Sequence, residues 1–474
     1  MNNVLNRAFC VVVLNMAPLT YASADSLADI YQLALGNDPQ LRAARATYRA
    51  DQEALPIARA GLLPQITASA EYADGQGDTS SARVLSETFR PSNKGENDDE
   101  TETYMVSLSQ PLFDLPAWFT FKQGQALDRE ASAQFAAEQQ QLILRVADAY
   151  FGALRASEDL RSARAEQRAI GRQLEQTKER FEVGLLPITD VHEAQAVYDE
   201  AAVNALEATS ALDIAFESLE VLTGQPHREL AGLTAGFPVV EPEPRDPEAW
   251  VQFASGNNFA LQVAQHRMTA AAQNAKASKA EHLPRVSANL SYTNSHTDGV
   301  FTRDSTGNKE PFFADNEPTV ISVRLDAPLF SGGLISAQRR QAHQQFIAAE
   351  EQYQYSARNT TQQARSLHLK VVTNAARVKA RNQAVTSARS ALDATQAGYE
   401  VGTRNIVDVL LSQRTLHRAE RNYANARYDY IASMLQLKEV AGQLSPEDIG
   451  QLNAWLDPSL VVGKASAVPT VHQQ

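Results

Sequence analysis

Residues 398–409 read GYEVGTRNIVDV, and residues 180–191 read RFEVGLLPITDV. In both, Glu-Val-Gly follows an aromatic residue, and Asp-Val comes six residues after the glycine. The two stretches lie 218 residues apart. A chain that writes one phrase twice at such a distance reads as two copies of one architecture.

Other pairs widen the duplication. Asn37 and Leu41 in GNDPQLRAA match Asn257 and Leu261 in GNNFALQVA. LLPQITASAEY from Leu62 matches HLPRVSANLSY from His282, and SQPLFD from Ser109 matches DAPLFSGG from Asp326. LTGQ from Leu222 answers VAGQ from Val440. The offsets stay between 217 and 220, so repeat 1 runs over 25–236 and repeat 2 over 258–442. A linker, 237–257, is Pro-rich at its start, and a terminal segment follows over 443–474.

Each half reads helix, strand, polar loop, strand, long helix, turn, helix. Strands are expected over about 64–73 and 103–113, then 284–295 and 319–330. Val286, Ala288, Leu290 and Tyr292 alternate with Ser287, Asn289, Ser291 and Thr293. Strands of this length suit a tilted crossing of an outer membrane, which takes about 9–11 residues; a half-buried soluble sheet has the same pattern. The stretches GENDDETE and TDGVFTRDSTGNKEPFFADNE read as long acidic loops, as at the outer rim of a barrel.

Helices are expected over about 115–181, 189–222, 333–399 and 405–440. The first has no internal proline after its opening turn, and Val146, Ala153, Leu160, Gln167, Leu174 and Phe181 recur every seven residues. Ala364, Val371, Val378, Val385, Leu392 and Tyr399 form the corresponding row of the second half. Some 67 residues of helix span ~100 Å. Such helices are too long for a globular core and too polar for lipid, so they need other long helices beside them. Four strands cannot close a transmembrane barrel, since the smallest use about eight. Both features call for several copies of the chain.

The first residues carry an export signal: Arg7, an apolar run from Ala8 to Leu14, and the small-residue site Ala22-Ser23-Ala24. The signal peptide is 1–24, and the mature chain begins at Asp25. Cys10 is the single cysteine and falls inside the signal, far from its cleavage site, so neither a disulfide nor a lipid anchor is expected. The net charge of −13 argues against a nucleic-acid partner. Neither nucleophile, P-loop nor zinc motifs occur, so no catalytic role, cofactor or metal is expected. Trp118, Phe119 and Phe121 suit either a core or an aromatic belt.

On RFEVGLLPITDV, GYEVGTRNIVDVL, YANARYDY (Tyr423–Tyr430) and the LLPQ, HLPR, SQPLFD and APLFSGG strand ends, the chain resembles the TolC family of outer-membrane efflux and secretion channels, over about Ser26 to Leu456. The resemblance implies an α+β membrane protein. It would be a homotrimer whose four strands per chain make a twelve-stranded outer-membrane β-barrel, continued by a coiled-coil α-helical tunnel in the periplasm. A mixed equatorial region would include the linker after Gly224 and the segment after Gly442, with a disordered tail beyond Pro458. Expected partners are outer-membrane lipid, a periplasmic adaptor and an inner-membrane RND, ABC or MFS transporter. The channel itself would be passive and open at its periplasmic end; the cargo is not written in the sequence.

The resemblance implies that each of the twin phrases is the tip of a helical hairpin. Val183, Gly184, Leu185, Val401, Gly402 and Thr403 would then form the turns and the adaptor contact. Thr189, Asp190, Tyr399 and Arg404 match gate residues that link neighbouring hairpins, though solvated helix-cap charges would look the same. Asp408 matches a constriction ring. Three carboxylates ~6 Å apart repel by roughly 3 kcal/mol per pair at an effective dielectric of ~20, and so attract cations. Leu411 departs from the family, which places a second acid there. A periplasmic coiled-coil adaptor and a secreted hydrolase are the other classes; the first lacks paired alternating strands, and the second needs a catalytic constellation that this sequence does not supply.

Overall fold

The computed structural model describes residues 24–82 and 92–464. The expected export signal, apart from Ala24, lies outside them, as does the end of the tail from 465 onward. In chain order the elements are α1 (Leu27–Asn37), α2 (Pro39–Gln52), α3 (Ala54–Ala60), β1 (Gln65–Ala82), β2 (Ser92–Phe113), α4 (Leu115–Glu182), α5 (Ile188–Thr223) and β3 (Glu229–Leu233). Then come α6 (Pro247–Asn257), α7 (Phe259–Ala280), β4 (Arg285–Arg303), β5 (Lys309–Asn316), β6 (Thr319–Asp326), α8 (Leu334–Glu400), α9 (Ile406–Val440), α10 (Pro446–Asn453) and β7 (Leu456–Gly463). They form two compact units: one of residues 43–137 and 255–362, the other of residues up to 42, 138–254 and 363 onward.

The first unit holds an antiparallel sheet. β1 pairs with β2 from Gln65 opposite Ser109 to Ala82 opposite Ser92. β2 pairs with β4, and the other edge of β4 is shared, with β6 covering Arg285–Tyr292 and β5 covering Ser295–Thr302. β5 and β6 are thus one strand position interrupted at Glu317-Pro318. Pro318 has no N–H to donate, but its carbonyl still accepts from the Thr293 N–H at 3.1 Å. The sheet has four strand positions with free edges at β1 and at β5/β6.

The strands are longer than the alternation suggests. The GENDDETE stretch at 95–102, read as a loop, lies within β2, and 297–317 is mostly the end of β4 and all of β5. Acidic composition marks a loop only where the backbone lacks partners. Here β2 is bonded on both sides, and its carboxylates project from the ladder instead of ending it. The strand expected to reach 330 stops at Asp326, ahead of Pro328 and of Gly332 and Gly333, both at positive φ.

The two faces of the sheet differ sharply. Ile66, Leu108, Leu290 and Ile321 stand in one row across all four positions. Val106, Tyr292, Val323 and Leu325 share that face, and Tyr104 and Tyr72 lie further along it. Beyond the tyrosines the same face turns acidic, with Asp74, Glu100 and Asp298 in register. On the opposite face hydroxyls and amides bond across strands: Thr67 to Ser107 at 2.7 Å, Ser109 to Asn289 at 2.8 Å, and Thr103 to Ser295 at 3.2 Å.

The second unit sets four helix segments side by side. Lys178 of α4 bonds Gln195 of α5 at 3.3 Å. Arg155 and Glu166 of α4 pair with Asp429 and Arg414 of α9, each at 2.6 Å. Asn374 of α8 donates to Ser433 of α9 at 3.1 Å, and Arg389 meets Glu420 at 3.3 Å. The order is α5, α4, α9, α8. The exposed ion pairs contribute ~0–1 kcal/mol each; the apolar seam contributes more. Val146, Ala153, Leu160, Leu174, Ala364, Val371 and Val378 are buried, and the rows loosen towards Phe181 and Tyr399, which are exposed. Burying an aliphatic side chain is worth about 1.5–3 kcal/mol.

This unit also holds a small sheet of β3 and β7, joined by a parallel bridge between Asp25 and Leu230. The tail beyond Pro458 is therefore a strand as far as Gly463, because β3 offers it an edge. Asp25 accepts from His227 Nδ1 at 2.7 Å, and His227 Nε2 meets Thr223 Oγ1 at 2.7 Å. Tyr150 is fully buried beside them and donates to the Ala231 carbonyl at 2.7 Å; burial pushes its phenol pKa up.

Candidate functional site

Both hairpin tips close in the same way. Gly184 and Gly402 each have φ +77°, a conformation that costs a residue with a Cβ. The Gly184 N–H donates to the Phe181 carbonyl at 2.9 Å, and the Leu185 N–H to that of Arg180 at 2.8 Å. In the second tip Gly402 donates to Tyr399 at 3.0 Å and Thr403 to Gly398 at 2.8 Å. This paired pattern is the Schellman termination of a helix. Val183, Leu185 and Val401 point into solvent, each at least 70% exposed.

The tips then diverge. Asn405 and Asp408 form a capping box: Asn405 Oδ1 accepts from the Asp408 N–H at 2.9 Å, and Asp408 Oδ2 accepts from the Asn405 N–H at 3.3 Å. α5 begins behind Pro187, which makes no side-chain cap, and Asp190 instead accepts from the Thr189 hydroxyl at 3.3 Å. Arg404 Nη1 lies 3.9 Å from Asp408 Oδ2, so within one chain its acidic neighbour is Asp408. Tyr399 is 45% exposed beside the turn, and Leu411 is exposed one turn after Asp408.

Gly398 opens the quoted stretch, and its role was not legible there. Its carbonyl accepts from the Thr403 and Arg404 N–H groups at 2.8 and 3.1 Å and from the Thr403 hydroxyl at 3.0 Å. A Cβ at 398 would lie 2.8 Å from Arg404 Cγ. The counterpart in the first tip is Arg180. The two tips also face each other: a hollow of about 400 Å³ is lined by Arg180, Leu186 and Asp190 together with Ile406 and Val407.

The sheet is the second functional surface. Ile321, Val323 and Leu325 are 65–80% exposed on its apolar face, bordered by Tyr72, Tyr104 and Tyr292. An apolar strip ending in amphipathic rings is what the boundary of a bilayer selects, and the hydroxyl-rich reverse suits water. No helix among the described residues is long and apolar enough to cross a membrane. No group of His, Cys, Asp and Glu among them could hold a metal ion.

A sheet with one lipid-compatible face, followed in the chain by water-exposed helices of 68 and 67 residues, defines an outer-membrane exit duct. The family model described as outer membrane efflux protein matches residues 30–225 and 250–443, and the chain belongs to that family. It is 36% identical to outer membrane protein TolC of Vibrio cholerae over 433 residues, 91% of this chain and 94% of that protein. It is 31% identical to the alkaline protease secretion protein AprF of Pseudomonas aeruginosa, over 90% of this chain and 86% of that one. The crystal structure of the Campylobacter jejuni CmeC outer membrane channel superposes with a TM-score of 0.69 at 16% identity, covering 97% and 98% of the two chains. The protein is an outer-membrane duct of the efflux family, extending into the periplasm.

Proposed function

We propose that three copies of the chain close a twelve-stranded barrel in the outer membrane and that their helices form a periplasmic tunnel. The carrying observation is an open sheet of four strand positions with two free edges and one apolar face. Unpaired edges in a bilayer leave backbone groups unsatisfied, so the sheet must close on other copies of itself. The two repeats then give the tunnel its quasi-sixfold wall.

The tips form the gate. Arg404 and Tyr399 of one hairpin link to Thr189 and Asp190 of a neighbour, and Asp408 rings the constriction. The exposed Val183, Leu185 and Val401, with Gly184, Gly402 and Thr403, receive a periplasmic adaptor. That adaptor and an inner-membrane RND, ABC or MFS transporter open the closed state and select the cargo. Each gate link is weak, ~0–1 kcal/mol, which leaves closure within reach of a docking partner. The test is the mass of the detergent-solubilised protein, together with conductance in planar bilayers. A trimer that conducts poorly alone fits the proposal; a monomer or dimer overturns it.

A further inference from the structure

Exposed cations gather where helices meet the Arg285–Asp326 end of the sheet. Lys276 and Lys279 of α7, with Arg339, Arg340 and His343 of α8 and Phe346 beside them, line a hollow of about 580 Å³. No ion pair engages Lys276, Lys279, Arg339 or Arg340 among the described residues. In a chain of net charge −13, four unpaired cations in one groove run against the overall balance.

Their place in the unit is specific. Lys279 is one residue from the end of α7, and β4 starts at Arg285. Arg339 is five residues into α8, so these side chains start within roughly 10 Å of the helix ends that adjoin the sheet. The connector from β6 to α8 carries Leu329 at 96% and Phe330 at 89% exposure. Cations within a few helical turns along the chain of highly exposed apolar side chains match an amphiphile with a phosphate head and acyl tails.

We infer that this groove binds the headgroup of an anionic phospholipid in the leaflet on the helical side of the sheet. The inference rests on the reading that the sheet crosses the membrane. Free phosphate would satisfy the four cations but leave Leu329 and Phe330 without a role.

The test uses the full-length protein in neutral detergent, offered phosphatidylglycerol or phosphatidylcholine in mixed micelles, with retained lipid counted by mass spectrometry. Wild type should retain phosphatidylglycerol preferentially. Arg339→Gln with Arg340→Gln should lower that retention roughly 30-fold at low salt, and Lys379→Gln with Arg381→Gln, elsewhere on α8, should not. Equal retention by the groove variant and wild type overturns the site. Competition by inorganic phosphate at matched concentration overturns the lipid assignment in favour of a small anion. Loss of the assembled mass with lipid retention intact makes the cations a contact between copies, which also overturns it. Insertion into phosphatidylcholine liposomes separates the two readings: if wild type fails to insert, the membrane-crossing sheet fails; if it inserts without preferring phosphatidylglycerol, only the lipid site fails.

Discussion

Arg404 is folded over Gly398. Its N–H bonds the Gly398 carbonyl at 3.1 Å, and its Cγ occupies the space that a Cβ at 398 would enter. Gly398→Ala therefore sets two effects against each other. Alanine favours the helix by about 1 kcal/mol, while its methyl displaces the Arg404 stem. The expected outcome is a melting temperature equal to or above wild type, with higher single-channel conductance. Wild-type conductance would show that the seat of Arg404 does not set closure.

Removing the gate side chains directly should have the larger effect. Arg404→Ser with Tyr399→Phe is expected to raise conductance several-fold without a partner and to admit large antibiotics to cells, the trimer remaining intact. Moving a closed state from about 1:99 to 99:1 takes roughly 5.5 kcal/mol, so on the proposed trimer three copies of weak links would bias the gate without locking it. Reduced trimer stability in the double variant would assign the pair a structural role.

Asp408 caps α9, and the proposed constriction ring would give it a second, separable duty. Asp408→Asn removes the charge but keeps a side-chain oxygen for the Asn405 N–H, so helix stability should fall by less than the ~1 kcal/mol of a lost cap. Block by multivalent cations in planar bilayers should weaken. Leu411→Asp should strengthen it by adding a second carboxylate one turn on. Unchanged block in both variants would take Asp408 out of the constriction.

The helices are legible because their signal is local. The heptad row through Val146 and Leu174 needs no partner to be seen, and the glycine of each turn announces itself. Sheet extent is another matter. Asp98 and Glu100 look like loop residues until β1 and β4 lie on either side of them. β7 depends on β3, more than two hundred residues earlier, and segments this short reveal no such partner. At the tip, the capping of Asp408 by Asn405 follows from spacing, but the packing of Arg404 on Gly398 depends on a backbone reversal that only coordinates place.

The faces of the sheet should respond oppositely to charge. Val323→Arg lies on the apolar face, where arginine costs about 2–4 kcal/mol at mid-membrane. It should sharply lower the yield of heat-resistant oligomer in outer-membrane fractions. Ser291→Arg, on the hydroxyl-rich face, should assemble normally. Equal yields would mean that the apolar face does not meet lipid.

Burial raises the Glu439 pKa above its ordinary 4.5, opposed by a 2.8 Å bond from Gln141. The folded state then binds the proton more tightly than the unfolded state. Stability from this group is full below the unfolded value and is lost as pH rises through the folded one. Glu439→Gln should stabilise at neutral pH and flatten melting temperature against pH above 4.5. Parallel curves for variant and wild type would refute this.

The free edges at β1 and β5/β6 have a genetic corollary. If each chain supplies one third of a closed wall, one that folds its helices but spoils an edge will still be recruited. Co-expressed in equal amounts with the intact gene, it would leave roughly one trimer in eight free of the defect. Edge lesions should therefore be dominant, whereas lesions that prevent folding altogether should be recessive.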